Sequence, residues 1–85
     1  MAHALAPIMR RLVDTLKGAL PETDVRQLHE LIDASQLQLA LEWITDSVTQ
    51  RSMTRDPQLR QLLVQLGAQL GIVQSIRDRL QASGD

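Results

Sequence analysis

Apolar residues recur every three or four positions along almost the whole chain, which is the period of a helix with one buried stripe. Leu5, Ile8, Leu12 and Leu16, widened by Met9 and Val13, predict a first helix over about 4–17. Gly18 offers the positive φ of a C-cap, and Pro21 lies just beyond it. Pro21 suits the first turn of a second helix, having no N–H to satisfy. Glu22 and Asp24 then fall near the positive end of that helix's dipole, and Val25, Leu28, Leu31 and Ile32 form its stripe as far as Ala34. Ser35 reads as the N-cap of a third helix over 36–50, in which Leu37, Ala40, Leu41, Ile44 and Val48 share a face. So short a link predicts an antiparallel hairpin of helices two and three.

Residues 51–55 read as a loop, and Asp56-Pro57 as a cap and first-turn proline opening a fourth helix with Leu59, Leu62, Leu63, Leu66 and Leu70 inward. Gly67 and Gly71 disturb this pattern, each costing about 1 kcal/mol relative to alanine inside a helix. Outside a membrane, such spacing marks a close helix contact or a helix end. Either one helix continues to about Gln81, or it breaks near Gly71 and Ile72, Val73, Ile76 and Leu80 begin a fifth; the break is the preferred reading. The tail 82–85 reads as frayed.

The expected fold is therefore all-α, a compact bundle of four or five helices in one domain, 1–85, ordered over about 4–81. Composition agrees: 85 residues suffice for one domain, leucine is abundant, and the strand-favouring Phe and Tyr are absent. The absence of cysteine excludes a disulfide staple and a thiolate metal site. A formal net charge of −1 argues against general affinity for nucleic acid or a membrane surface. No apolar run approaches the roughly 20 residues needed to span a bilayer. Met1–Pro7 lacks the apolar segment of a signal peptide, so a cytoplasmic location is expected.

Candidate catalytic chemistry is sparse. His3 and His29 are the only imidazoles, and neither has neighbours in sequence that would complete a metal site. His29 reads as a solvated surface residue and Arg10-Arg11 as the wet face of a helix. No Gly-rich phosphate loop is present. No catalytic, cofactor-binding or metal-binding residue is assigned, and no enzymatic activity is expected.

The charges, however, are unevenly distributed. Six acids (Glu22, Asp24, Glu30, Asp33, Glu42 and Asp46) face one base, Arg26, between positions 22 and 46, giving −5, while the remainder carries +4. Glu42 and Asp46 are i, i+4 neighbours without an intrahelical cation, an arrangement that costs a few tenths of a kcal/mol. One reading is a solvated acidic face. The sharper one is a surface built for a basic partner, where charge complementarity speeds association and selects the partner. Leu39 lies nearly opposite Leu37 and Leu41 on the third helix, and Trp43 falls at the margin of its core face. Tryptophan is enriched in interface anchors but also serves as a cap over a bundle core, the role favoured for Trp43. The candidate partner-binding set is Glu30, Asp33, Leu39, Glu42, Trp43 and Asp46.

Pro21-Glu22-Thr23-Asp24-Val25, Leu28 to Asp33, then Leu39-Ala40-Leu41-Glu42 and Asp46 resemble the MafI-type immunity proteins of contact-dependent growth inhibition systems. Leu66-Gly67 and Leu70-Gly71-Ile72 resemble the family's closing element, so the likeness covers about residues 8–72. Ser35-Gln36-Leu37 departs from the Gly-Glu-aromatic sequence common before the family's third helix. The resemblance implies a small cytosolic antitoxin that blocks the active site of one cognate toxin domain, often a nuclease and in some cases an EndoU-type RNase. A nuclease cleft is basic because it holds phosphates, and an acidic hairpin suits it on independent grounds. The chain itself is not expected to bind nucleic acid, a membrane or a cofactor. The alternative is a helical self-association or adaptor module, including a homodimer, suggested by the apolar richness of 59–80.

Overall fold

In the computed structural model, residues 5–82 are described, without the side chains of Thr54 and Ala82. They form α1 (Leu5–Thr15), α2 (Glu22–Asp33), α3 (Leu37–Gln50), α4 (Pro57–Leu70) and α5 (Val73–Ala82), with a single 3-10 turn at Met53–Arg55. No strand occurs among the described residues. The radius of gyration, 11.8 Å, matches the roughly 12 Å of a compact chain of this length. The expected starting residue Ala4, His3 and the tail 83–85 lie outside the described residues.

The core is aliphatic, and α3 is its hub, packing against each of the other four helices. Its Ala40, Leu41, Ile44, Thr45 and Val48 are fully buried. The polar member of this stripe, Thr45, donates its hydroxyl to the Leu41 carbonyl at 2.9 Å, so this buried hydroxyl is satisfied. On α1 the core face is centred on Met9 and Val13, with Leu5 and Leu12 beside them, whereas Ile8, expected in the stripe, is 41% exposed. The first helix is also shorter than expected. After Thr15 the chain continues through hydrogen-bonded turns, with Leu20 N–H donating to the Leu16 carbonyl at 3.0 Å, and both leucines are buried. Gly18 does not take the positive φ expected of it, for Gly71 is the one glycine with that geometry among the described residues.

Two helix ends use the same closure. After α4, Ile72 N–H donates to the Gly67 carbonyl at 2.8 Å and Gly71 N–H to that of Ala68 at 3.3 Å, the Schellman arrangement around a left-handed residue. After α2, Gln36 N–H donates to Leu31 at 2.8 Å and Ser35 N–H to Ile32 at 3.0 Å. Here the left-handed position (φ 62°) is Ser35. Ser35 thus closes α2 instead of capping α3, whose N-cap is Gln36 and has no side-chain cap bond. A non-glycine residue in this region costs about 1 kcal/mol or more. Ser35→Gly is therefore expected to raise the unfolding free energy by about 0.5–1 kcal/mol, after the entropy that glycine adds to the unfolded chain. Urea denaturation with an unchanged m-value would register this as a higher midpoint.

The fourth and fifth helices divide at Gly71 as the preferred reading expected. Asp56 caps α4, its Oδ1 accepting from Gln58 N–H at 2.9 Å, and Pro57 occupies the first turn. Gly67 is buried where α4 meets α5: a Cβ there would lie 2.8 Å from Ile76 Cγ1 and 3.2 Å from Val73 Cα. The hairpin closes over Leu63, Leu66, Ile76 and Leu80, all buried. Leu59, Leu62, Val64, Leu70, Ile72 and Val73, the other leucine, isoleucine and valine residues of 59–80, are half-buried.

Candidate functional site

α3 contributes five residues to the core and still places two large apolar side chains outside. Leu39 is 42% and Trp43 40% exposed. They stand one helical turn apart and form a ridge on the outer side. Trp43, read in the sequence as a cap over the core, leaves 40% of its surface open to solvent. A helix needs one apolar stripe to fold onto its neighbours, so these two residues are in excess of what folding of α3 requires.

Leu39 rims a groove of about 430 Å³ between the start of α3 and the α4–α5 junction, lined also by Leu37, Leu70, Ile72 and Glu42. The junction is held against α3 by Gln38, whose Nε2 donates to the Leu70 carbonyl at 2.7 Å. That carbonyl belongs to the last turn of α4, where helical backbone lacks intrahelical donors. The groove is therefore mixed in character: Leu37, Leu39, Leu70 and Ile72 share its lining with Ser35, Gln36, Gln38 and the carboxylate of Glu42. Leu37, Leu70 and Ile72 read in sequence as core and helix-end residues. Only the tertiary arrangement makes them a lining.

The carboxylates are arranged differently from the expectation of one bare acidic face. Asp33 accepts from Arg10 of α1. Asp46 Oδ2 accepts from Arg79 Nη1 of α5 at 2.6 Å. Glu42 Oε2 accepts from Ser75 Oγ at 3.0 Å, with Arg79 Nη2 at 3.8 Å. Arg79 Nε in turn donates to Ser75 Oγ at 3.2 Å. Of the four acids, only Glu30 has no ion pair among the described residues. Asp33 is drawn towards α1, and Glu42 and Asp46 towards α5, so no continuous unneutralised surface spans α2 and α3. Reading i, i+4 spacing detects missing cations within a helix, but it has no access to Arg79, 33 positions beyond Asp46. Two carboxylates share the one guanidinium, so one negative charge is left over beside the ridge.

His29 is also partnered rather than merely solvated, with Nε2 3.1 Å from Asp14 Oδ1. No group of three or more His, Asp or Glu side chains able to hold a metal occurs among the described residues. No helix among them is long and apolar enough to cross a membrane.

The Arg79 cluster is partly screened by solvent, its arginine and aspartate side chains being 34% and 42% exposed. Its coupling is expected to be about 0.5–1 kcal/mol. A double-mutant cycle of Asp46→Asn and Arg79→Gln, read by denaturant unfolding, should return a value in that range; zero coupling would show that the pair does not hold α5 to α3.

Comparison of the chain with protein-family models, curated proteins and solved structures finds no match.

Proposed function

We propose that this chain is a non-enzymatic inhibitory binding protein of the MafI-type immunity class, which covers the basic cleft of a cognate nuclease toxin domain, an EndoU-type RNase being the expected target. Such an antitoxin would act in the cytoplasm, where the toxin's substrate is. The observation that carries the reading is the exposed Leu39–Trp43 ridge, set beside a groove with a carboxylate at its edge. Aromatic and aliphatic anchors that enter a pocket on the partner supply most of the energy of an interface. Charges at the rim chiefly set the association rate and the choice of partner.

The residual negative charge of the Glu42–Asp46–Arg79 cluster suits a basic cleft. Glu30 adds a free carboxylate on α2, and Asp33 reaches a partner only in competition with Arg10. Binding therefore centres on α3, with α2 at the rim. The resemblance of residues 8–72 to MafI-type proteins supports the same reading from sequence.

The test is protection from killing. A nuclease domain encoded directly upstream, expressed in the same cells, should arrest growth without this chain and permit growth with it. Failure of the chain to protect, or the lack of a nuclease domain upstream, would contradict the proposal. Self-association through the same ridge is the competing reading, and light scattering at several concentrations separates them: an obligate homodimer burying Leu39 and Trp43 would favour it.

A further inference from the structure

A second groove, of about 520 Å³, lies between α4 and α5. It is lined by Arg60, Gln61, Gln65, Arg77 and Gln81, with Val64 and Leu80 also contributing. No carboxylate is among the lining residues that are described. Neither Arg60 nor Arg77 makes an ion pair among the described residues. The acids adjacent in sequence are engaged elsewhere: Asp56 caps α4 at 2.9 Å, and Asp78 accepts from Gln74 Nε2 at 2.9 Å. α4 itself contains no acidic residue.

We infer that the α4–α5 groove is a docking site for an acidic protein segment, with Arg60 and Arg77 taking its carboxylates and half-buried Val64 giving an apolar contact beside them. Guanidinium groups bind carboxylates through two parallel hydrogen bonds, a geometry lysine lacks. The three glutamine amides can both donate and accept, which suits the N–H and C=O groups of a polypeptide. Two arginines are too few for the multiple phosphate contacts on which nucleic-acid affinity rests. A small inorganic anion would leave the apolar part of the groove uncovered. This surface has the opposite charge to the one on α3, and it stands whether or not the chain is an antitoxin.

The probe is a short fluorescent peptide in which glutamates flank leucines, titrated with the full chain and followed by anisotropy. Saturable binding is expected, and it should weaken about a hundredfold in Arg60→Glu/Arg77→Glu. Arg60→Lys/Arg77→Lys, which keeps the charge, should recover part of that loss but not all of it. Circular dichroism checks the fold of each variant, and Arg60→Gln/Arg77→Gln replaces the reversal if that one unfolds. Leu39→Ala/Trp43→Ala should bind the peptide as the wild type does. No binding, binding insensitive to both arginine changes, or tighter binding of oligothymidylate at the same arginines would overturn the inference.

Discussion

Gly67→Val is expected to destabilise the fold by about 2–3 kcal/mol, the upper part of the range for overpacking a well-packed interior. The added Cβ alone would lie 2.8 Å from Ile76 Cγ1 and 3.2 Å from the Val73 backbone. The first neighbour is a buried β-branched side chain with few rotamers to move into, and the second is main chain. Relief requires α5 to move away from α4, which strips contacts from Leu63, Leu66 and Leu80. Valine's better helix propensity returns only a few tenths of a kcal/mol. The other two described glycines serve as controls. Gly18 has open space and no positive φ, so Gly18→Ala should not destabilise. Gly71 has open space but φ +78°, so Gly71→Ala should cost about 1 kcal/mol through backbone strain alone. Thermal and urea unfolding of the three variants should therefore rank Gly67→Val lowest and Gly18→Ala highest. Equal stability of Gly67→Val and the wild type would contradict the packing described for α4 and α5.

These glycines illustrate what the sequence makes legible. Gly67 and Gly71 interrupt a helical period, and the two meanings of such an interruption, close helix contact and helix end, both occur here, one at each residue. Asp56-Pro57 fixed the start of α4 because a cap and an N–H-free first turn are local properties. Ser35 misled for the same local reason: serine is a frequent N-cap, and its left-handed closure of α2 depends on where Leu31 and Ile32 present their carbonyls. Ile8 and Met9 exchanged roles because a wide apolar stripe on α1 does not reveal where its centre lies.

At the candidate site, the outward direction of Leu39 was legible from its angular distance from Leu41. Trp43, at the margin, could have turned either way, and its exposure was settled by the packing of α3. The charge imbalance was also visible, but its neutralisation was not. Arg10 and Arg79 come from opposite ends of the chain, and only the folded arrangement brings them to Asp33 and Asp46. The expectation of a bare acidic hairpin fails for that reason, while an apolar ridge with a carboxylate edge remains.

Leu39→Ala/Trp43→Ala is expected to weaken binding to the nuclease domain by about a thousandfold, mostly through faster dissociation. Truncation of an anchor residue costs about 2 kcal/mol or more, and two such losses, approximately 4 kcal/mol together, correspond to that factor. Both side chains are more than half covered in the free chain, at 42% and 40% exposure, so urea unfolding and circular dichroism establish that the variant is folded before its rates are compared. Glu42→Gln/Asp46→Asn should act differently. It should slow association at low salt and leave dissociation less affected, because these groups contribute at the rim. Stopped-flow association and dissociation rates at two salt concentrations separate the two variants. A ridge variant with wild-type dissociation would remove Leu39 and Trp43 from the interface.

The most direct test is titration of the upstream-encoded nuclease domain with this chain while RNA cleavage is followed. Stoichiometric inhibition by the wild type, lost on substitution of Leu39 and Trp43, is the predicted result. Undiminished cleavage with the wild type present in excess, or full inhibition by a folded Leu39→Ala/Trp43→Ala variant, would contradict it.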